Sequence, residues 1–362
     1  MDCTKKNIAF VLPSLGMGGA ERVASELSSE FIKKGLNVKF FLLDNEEICY
    51  NIDKKIQVKF LQFNSKENKI IKNLRRIKKL RRELKQNKID IVISFITSSD
   101  FLTILATRMT NIKVFVSERT DPNKSSKKIK IIRNILYNLA DGVVFQTQDA
   151  KNYFSKKIQR KGCIIVNPVK KDLPKWEEIK EHNKTIVTAC RLEKEKNLEM
   201  LINAFNLIKD DNDKYKLVIY GSGTQRDNLI KQIKELKLEK RIELKGRDNQ
   251  WYKKAIYSSV FVLSSNYEGI SNSLLEAMAM GIPVVSTDHP IGGARMLIEN
   301  GKNGFLVPVN DKIQMANKLK EILENELLQE KFSKEELKVN EKYSSEKIAE
   351  EWISYIINGR FK

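Results

Sequence analysis

The chain predicts an α/β protein made of two similar Rossmann-like domains, each a doubly wound parallel sheet, with a cleft between the facing C-terminal ends of their strands. Three observations carry this. Short β-branched apolar runs alternate with longer amphipathic stretches; the alternation stops around Pro168 and then restarts. The 362 residues, 41% of them hydrophobic, are enough for two cores and too apolar for a disordered chain.

In the first half, strands are expected at Ile8–Leu12, Val38–Leu43, Ile89–Phe95, Val114–Ser117 and Gly142–Gln146, where valine, isoleucine and phenylalanine gather between polar segments. Apolar residues three and four apart predict helices at Glu21–Lys34 and over 66–88. The run Ile164-Ile165-Val166-Asn167-Pro168-Val169 and the charged stretch to Asn183 form a hinge, so a second domain begins near residue 170. Its expected strands are Thr185–Ala189, Leu217–Tyr220, Ile242–Lys245, Val260–Ser264 and Val284–Ser286; its helices are Leu198–Ile208, Asp227–Leu236 and Ser273–Met280. After Phe305-Leu306-Val307-Pro308 the chain turns helical over Ile313–Glu324, Leu327–Lys342 and Ser345–Ile357. The expected division is 1–168, 169–343 and a terminal helical segment, 344–362.

Charge is unevenly placed. Of the net +20, residues 1–168 carry 33 basic against 16 acidic side chains, whereas residues 169–362 carry 33 against 30. An acidic partner would meet the first half. No apolar run reaches the roughly 18–20 residues of a membrane span, and Ile8–Leu12 is too short for a signal-peptide core, so a cytoplasmic protein is expected. Cys3, Cys49, Cys163 and Cys190 show no C-x-x-C spacing, and two histidines leave little for a His-rich metal site.

Several loops have the chemistry of an anion site. Gly18 and Gly19 follow a strand and open a helix, so their bare N–H groups can approach a phosphate. The dinucleotide fingerprint is incomplete there, since its third glycine position is Glu21; in Gly221-Ser222-Gly223-Thr224-Gln225-Arg226 that position is Arg226. Either run reads equally as a tight turn. Arg191 and Lys196 lie five residues apart on a strand-to-helix loop, a fork and a point charge suited to gripping a diphosphate. The run from Asn266 to Pro283 is the strongest signal. Asn272 or Ser273 can cap the helix Leu274–Met280, whose first N–H groups suit an anion, while Glu268 and Glu276 can straddle a ligand and accept from ribose and sugar hydroxyls.

At these residues the chain resembles the family-4 retaining glycosyltransferases, which have the GT-B fold. The likeness covers nearly the whole chain: Gly18-Gly19-Ala20-Glu21-Arg22, the Arg191/Lys196 pair, the E-x7-E pair Glu268/Glu276, Asp288-His289-Pro290-Ile291-Gly292-Gly293-Ala294-Arg295, and Asn300 to Val307. The resemblance implies a hexosyltransferase, a C-terminal domain for a nucleotide-sugar (most often a UDP-sugar), an N-terminal acceptor domain, and a last helix that crosses back to brace the latter. Arg191 and Lys196 would hold the diphosphate with N–H groups near Asn272, Ser273 and Leu274. Glu276 would take the ribose, Glu268 the transferred sugar, and Gly18 and Gly19 would line the reaction centre. Transfer with retention, no cofactor and no metal are implied. The one D-x-D, Asp211-Asn212-Asp213, sits in a polar turn and reads as a surface loop. Two departures stand out. Arg119, in Ser117-Glu118-Arg119-Thr120, occupies the place of a common histidine and cannot act as a general base, leaving Glu118 as an alternative carboxylate. Met296 stands where an acid commonly follows Gly-Gly-Ala-Arg.

Residues 66–88 hold eleven basic and two acidic side chains. Ile70, Leu74, Ile77 and Leu84, with Ile71 and Leu80, form a helical apolar stripe expected to pack on the sheet. The cations Arg75, Arg76, Lys78, Lys79, Arg81 and Arg82 then suit an anionic membrane surface or the diphosphate of a lipid-linked acceptor. Lys124–Arg133 adds a second basic stretch. No aromatic platform or base-reading module accompanies them, so nucleic acid is not an expected partner. The leading expectation is a UDP-sugar-dependent transferase of a hexose or N-acetylhexosamine, acting on a lipid-linked or cell-surface glycan from the inner face of the cell membrane. A non-catalytic membrane-associated sugar-nucleotide binder and a GT-B UDP-N-acetylhexosamine epimerase are the alternatives.

Overall fold

The computed structural model describes residues 6–62, 68–179, 181–209 and 214–359. Asp211-Asn212-Asp213, and Lys66 and Glu67 of the basic run, lie outside the described residues. The chain forms two compact units, one of residues 1–168 with 345–362, the other Val169–Ser344.

Unit 1 runs β1 (Asn7–Leu12), α1 (Gly19–Lys33), β2 (Asn37–Leu42), β3 (Gln57–Phe60), α2 (Lys69–Gln86), β4 (Ile91–Ser94), α3 (Thr97–Thr107), β5 (Lys113–Glu118), α4 (Lys127–Tyr137), β6 (Gly142–Phe145), α5 (Gln148–Asn152), α6 (Lys156–Arg160) and β7 (Gly162–Ile164). The seven strands are parallel, in the order β3-β2-β1-β4-β5-β6-β7. Strand β1 is buried on both faces, as a central parallel strand must be.

Unit 2 runs β8 (Asn183–Ala189), α7 (Leu198–Ile208), β9 (Lys216–Tyr220), α8 (Arg226–Glu235), β10 (Ile242–Gly246), α9 (Tyr252–Ala255), β11 (Ser258–Leu263), α10 (Asn272–Met280), β12 (Val284–Thr287), β13 (Phe305–Val307), α11 (Lys312–Leu323), α12 (Glu326–Glu336) and α13 (Val339–Lys342). Its six parallel strands lie in the order β10-β9-β8-β11-β12-β13, over a core that includes Ile186, Leu201, Phe205, Ile219, Val262 and Phe332. The last helix, α14 (Ser345–Asn358), belongs to unit 1. It packs on α1, with Trp352 fully buried 5.5 Å from Phe95 and the Tyr355 hydroxyl accepting from the Val143 N–H at 3.0 Å.

Both sheets are doubly wound, as expected. Strand order reverses between β1 and β4 in unit 1 and between β8 and β11 in unit 2, and such a switch point opens a crevice at the strand C-termini where ligands bind. The structure adds seven elements that the pattern did not give, β3, α3, α4, α5, α6, β7 and α9, and divides the expected helix Leu327–Lys342 into α12 and α13.

The apolar stripe of α2 splits. Leu80 and Leu84 are fully buried and Ile77 packs on the same cluster, but Ile70, Ile71 and Leu74 are exposed. Arg76 and Arg81 are tied down. Arg81 Nε and Nη2 donate to the carbonyls of Ala106 and Leu105, each at 2.8 Å, capping the end of α3; Arg76 pairs with Asp44 and donates to the Leu43 carbonyl at 3.3 Å. This corrects the expected cationic face: Arg76 and Arg81 are anchors within unit 1, whereas Arg75, Lys78 and Arg82 are exposed.

Candidate active site

The switch point of unit 2 is stitched together by polar side chains from three loops. After β8 the chain makes a 3-10 turn at Lys194–Lys196 and enters α7 through Asn197, whose φ of 48° is left-handed. Asparagine tolerates that conformation because its side chain bonds locally. The Asn197 amide donates to Asn266 Oδ1 after β11, at 2.9 Å, and to Asn310 Oδ1 after β13, at 2.7 Å. The Asn266 N–H donates to the Glu195 carbonyl at 2.7 Å, and Ser264 Oγ to the Lys196 carbonyl at 2.7 Å.

These bonds hold Lys196, whose ammonium makes a short ion pair with Glu268. Ser265 Oγ donates to the same carboxylate at 3.1 Å. Burial alone would raise the Glu268 pKa, but the Lys196 charge and hydrogen bond, with His289 and Ser265, hold it below the usual carboxylate range. Arg191 does not join this pair: its side chain is 72% exposed and its Nη2 donates to Glu195 at 2.8 Å.

The cap of α10 is Ser271, not Asn272 or Ser273. Ser271 is extended and its Oγ accepts from the Leu274 N–H, so the helix begins at Asn272 and Ser273 falls in the first turn, with its hydroxyl 3.1 Å from that of Ser271. Glu276 is buried in the next turn. The loops after β11 and β12 are pressed together, since a Cβ at Gly293 would lie 1.7 Å from the Gly269 carbonyl. The second loop carries His289, which belongs to the motif Asp288–Arg295 but has no site role assigned to it from the sequence. Its ring is fully buried, with Nδ1 3.1 Å from the Pro290 carbonyl and Nε2 without a partner. Burial lowers its pKa, so the imidazole is neutral.

The second glycine run resolves as packing. Gly221 has a φ of 147° and a Cβ there would meet the Cys190 carbonyl at 1.8 Å; at Gly223 it would meet that of Leu192 at 2.4 Å. The neighbouring Thr224 N–H and hydroxyl bond the Glu193 carboxylate, at 3.1 and 2.6 Å. Close backbone approach accounts for both glycines.

In unit 1, Gly18 takes the N-cap position of α1 with no side-chain cap. A Cβ on it would come within 2.0 Å of the Glu21 carboxylate, so Glu21 folds back over the helix start, where an anion is favoured. Burial raises the Glu21 pKa against its own N–H and the charge of Arg119. Arg119 leaves β5 and lies 4.5 Å over the Phe95 ring, donating to Asn167 Oδ1 at 2.6 Å. Its Nε and Nη2 are buried without partners. Burial, with Arg22 nearby, lowers its pKa to about 9 against Asp100 and Glu21, so it remains a cation at neutral pH.

Glu118 is a different case. It is fully enclosed, ion-paired to Arg133 at 3.0 Å and accepting from the hydroxyls of Thr120 at 3.1 Å and Tyr137 at 3.4 Å. This corrects the expectation of a second catalytic carboxylate: Glu118 faces an internal cation rather than a substrate. Among the described residues no three His, Cys, Asp or Glu side chains group to hold a metal ion, and no helix is long and apolar enough to cross a membrane.

Residues 17–173 match the family model described as Glycosyltransferase Family 4, and residues 169–339 that described as Glycosyl transferases group 1. The chain is 32% identical to the N-acetylgalactosamine-N,N'-diacetylbacillosaminyl-diphospho-undecaprenol 4-alpha-N-acetylgalactosaminyltransferase of Campylobacter jejuni, over 97% of this chain and 100% of that one. A second Campylobacter jejuni protein, a GalNAc-alpha-(1->4)-GalNAc-alpha-(1->3)-diNAcBac-PP-undecaprenol alpha-1,4-N-acetyl-D-galactosaminyltransferase, is 26% identical over 96% of this chain and 98% of its own. In fold, the chain matches a TarM variant of S. aureus complexed with fondaparinux, alpha-GlcNAc-glycerol and UDP, with a TM-score of 0.83 at 18% identity, covering 97% of this chain and 100% of that one. It matches Anabaena HepE complexed with UDP and glucose at 0.82 and 17%, covering 98% and 99%. With both units matched and a relative alike from end to end, the chain belongs to the family-4 glycosyltransferases of the GT-B fold.

Proposed function

We propose that this protein transfers a hexose or N-acetylhexosamine from a UDP-sugar, with retention of configuration, to a lipid-linked or cell-surface glycan. The observation that carries the reading is the Lys196–Glu268 pair, fixed by three loops at the switch point of unit 2 beside the start of α10. An enclosed ammonium stabilises the charge that grows on a departing diphosphate, and a carboxylate held ionised accepts from sugar hydroxyls. Lys196, with Arg191 turning inward from Glu195 and the N–H groups of Asn272–Leu274, takes the diphosphate; Glu276 takes the ribose; Glu268 orients the transferred sugar. Within unit 1, Arg119 offers two unpaired N–H groups suited to a sugar or phosphate oxygen, and Gly18 and Gly19 open α1. Retention requires the acceptor oxygen to approach C1 on the face the nucleotide leaves, so the new glycosidic bond replaces the C1–phosphate oxygen bond on that face.

The names of the two Campylobacter relatives favour an N-acetylhexosamine and a diphospho-undecaprenol-linked acceptor. On this reading unit 1 lies against the inner face of the cell membrane, where each basic residue near anionic lipid contributes about 1 kcal/mol. The test is titration with UDP, GDP and ADP, then transfer assays with UDP-hexoses and UDP-N-acetylhexosamines on undecaprenyl-diphosphate-linked glycans. Selective UDP binding that Lys196→Ala and Glu276→Ala abolish, with glycan extension that Glu268→Gln abolishes, supports the reading. UDP binding unchanged in all three variants would overturn the site.

A further inference from the structure

We infer that the outer surface of the α2–α3–α4 layer is a membrane-insertion face, which seats apolar side chains among the headgroups of an anionic bilayer. The inference rests on the reading of unit 1 as membrane-facing and deepens it from charge attraction to apolar burial.

The three helices form one layer. The connections β3 to β4, β4 to β5 and β5 to β6 cross the sheet in one direction, and β1 to β2 in the other. Right-handed crossovers therefore put α2, α3 and α4 on one face of the sheet and α1 on the opposite face. Contacts of α2 with α3, of α3 with α4, and of α1 with α14 agree.

Nine of the fourteen exposed large hydrophobic side chains among the described residues lie within or just beyond these three helices. On α4, Ile131 and Ile135 are one turn apart, 63% and 59% exposed. Ile70 and Leu74 repeat that spacing on α2, at 69% and 61%. Met109, just past α3, is 94% exposed and held at the tip of its turn by a left-handed φ of 59°. Among the described residues nothing covers these side chains, yet the same helices bury Leu80, Leu84, Leu102 and Leu136 beneath.

The charges select the occupant. The three helices carry 13 basic residues, of which Arg133 is buried against Glu118 and Arg76 and Arg81 are anchored within unit 1, which leaves ten, and two acids, Glu83 and Asp100. Glu83 is ion-paired to Lys59 at 3.0 Å and Asp100 is fully buried, so neither opposes the cations at the surface. A second copy of the chain would bring two cationic faces together, which is disfavoured. Nucleic acid would leave the isoleucines in water and find no aromatic stacking platform. An anionic bilayer satisfies both parts, taking lysine and arginine at its phosphates and the aliphatic groups just below.

The experiment is flotation of the full chain with phosphatidylcholine vesicles, with and without phosphatidylglycerol, at low salt and at about 1 M salt, where the Debye length is about 3 Å. The expected result is binding to anionic vesicles at low salt that persists in high salt. Leu74→Gln/Ile131→Gln/Ile135→Gln should bind at low salt but be released by high salt, its partition lowered at least about tenfold for each side chain withdrawn. It should leave the UDP titration unchanged, which shows the variant is folded. Ile131→Trp should shift its emission to the blue when anionic vesicles are added. Complete release of the wild type at high salt, with the triple variant indistinguishable from it, would overturn insertion while leaving the membrane-facing reading intact. Absence of binding to any vesicle would overturn both. Lipid-free self-association lost in the triple variant would assign the face to a second copy instead.

Discussion

Replacing Lys196 by Met should have two separable effects from the loss of one ammonium. The Lys196 and Glu268 side chains are 8% and 20% exposed, so removing the cation strands an enclosed carboxylate. Breaking a buried pair costs about 3–5 kcal/mol, and partial exposure brings this to about 2–3. For a domain of this size that lowers the melting point by about 4–12 °C at neutral pH. The pH dependence follows from the sign of the shift. In the wild type the Glu268 pKa is depressed, so the pair stabilises the fold above the ordinary value of 4.5 and is lost as pH falls through the lowered pKa. In the variant, burial raises the pKa, the carboxyl takes a proton as pH falls, and the deficit shrinks toward pH 4.5. The second effect is on ligand: losing a charge-assisted contact to a diphosphate costs about 1.5–3 kcal/mol, or about 10- to 150-fold in UDP affinity. Lys196→Met/Glu268→Gln should recover most of the melting loss and none of the affinity. Scanning fluorimetry and calorimetry read the two effects apart. UDP affinity within about threefold of wild type would refute the diphosphate role, and equal melting points for the single and double variants would refute the pair.

Arg119→Ala should lower kcat/KM about 100-fold with little change in UDP affinity, and Arg119→Lys should not restore it, because lysine lacks the planar fork that stacks on Phe95 and reaches Asn167; wild-type turnover by the lysine variant would remove the argument. Burial, with Glu118 adding to it and Ser94, Tyr137 and Arg119 opposing, raises Asp100 to about 7 from 3.8, so the folded state keeps a proton that the unfolded state loses between those values, and stability falls as pH rises through that window. Asp100→Asn should therefore melt higher than wild type above pH 7, with the gap closing below pH 3.8; a gap independent of pH counts against it. Arg81→Ala should cost about 1–2 kcal/mol through the uncapped carbonyls of Leu105 and Ala106, whereas Arg82→Ala should stay within about 0.5 kcal/mol in the same melting assay.

What the sequence made legible is what is local. The doubly wound class follows from apolar runs that must be buried on both faces, and β1, β8 and β11 stand out for that reason. Four of the seven unexpected elements are hidden by composition or by length. Helix α3 opens Thr-Ser-Ser-Asp, which reads as a loop, and α4 is masked by its lysines. Strands β3 and β7 lie at the two edges of the sheet and are four and three residues long, too short for a period to show. At the candidate site the residue types and their loops were readable, but their pairing was not. Lys196 and Glu268 are 72 residues apart, and His289 lies on a loop whose close approach to Gly269 needs the missing Cβ of Gly293. Along α2, Arg81 and Arg82 are chemically alike; one reaches a neighbouring helix end and the other does not, a difference of helical angle that composition does not carry.

Because α14 completes unit 1 after the whole of unit 2 has intervened, the order of synthesis and the order of folding cannot coincide. As the chain leaves the ribosome, the residues of β1–β7 emerge first but lack Trp352 against Phe95 and the Tyr355 hydroxyl at Val143. Val169–Ser344, a single continuous stretch, can close while the earlier half still waits for its last helix. For that interval the nascent chain exposes the apolar surface beside α1 that α14 will cover, and unit 1 stays open to aggregation there.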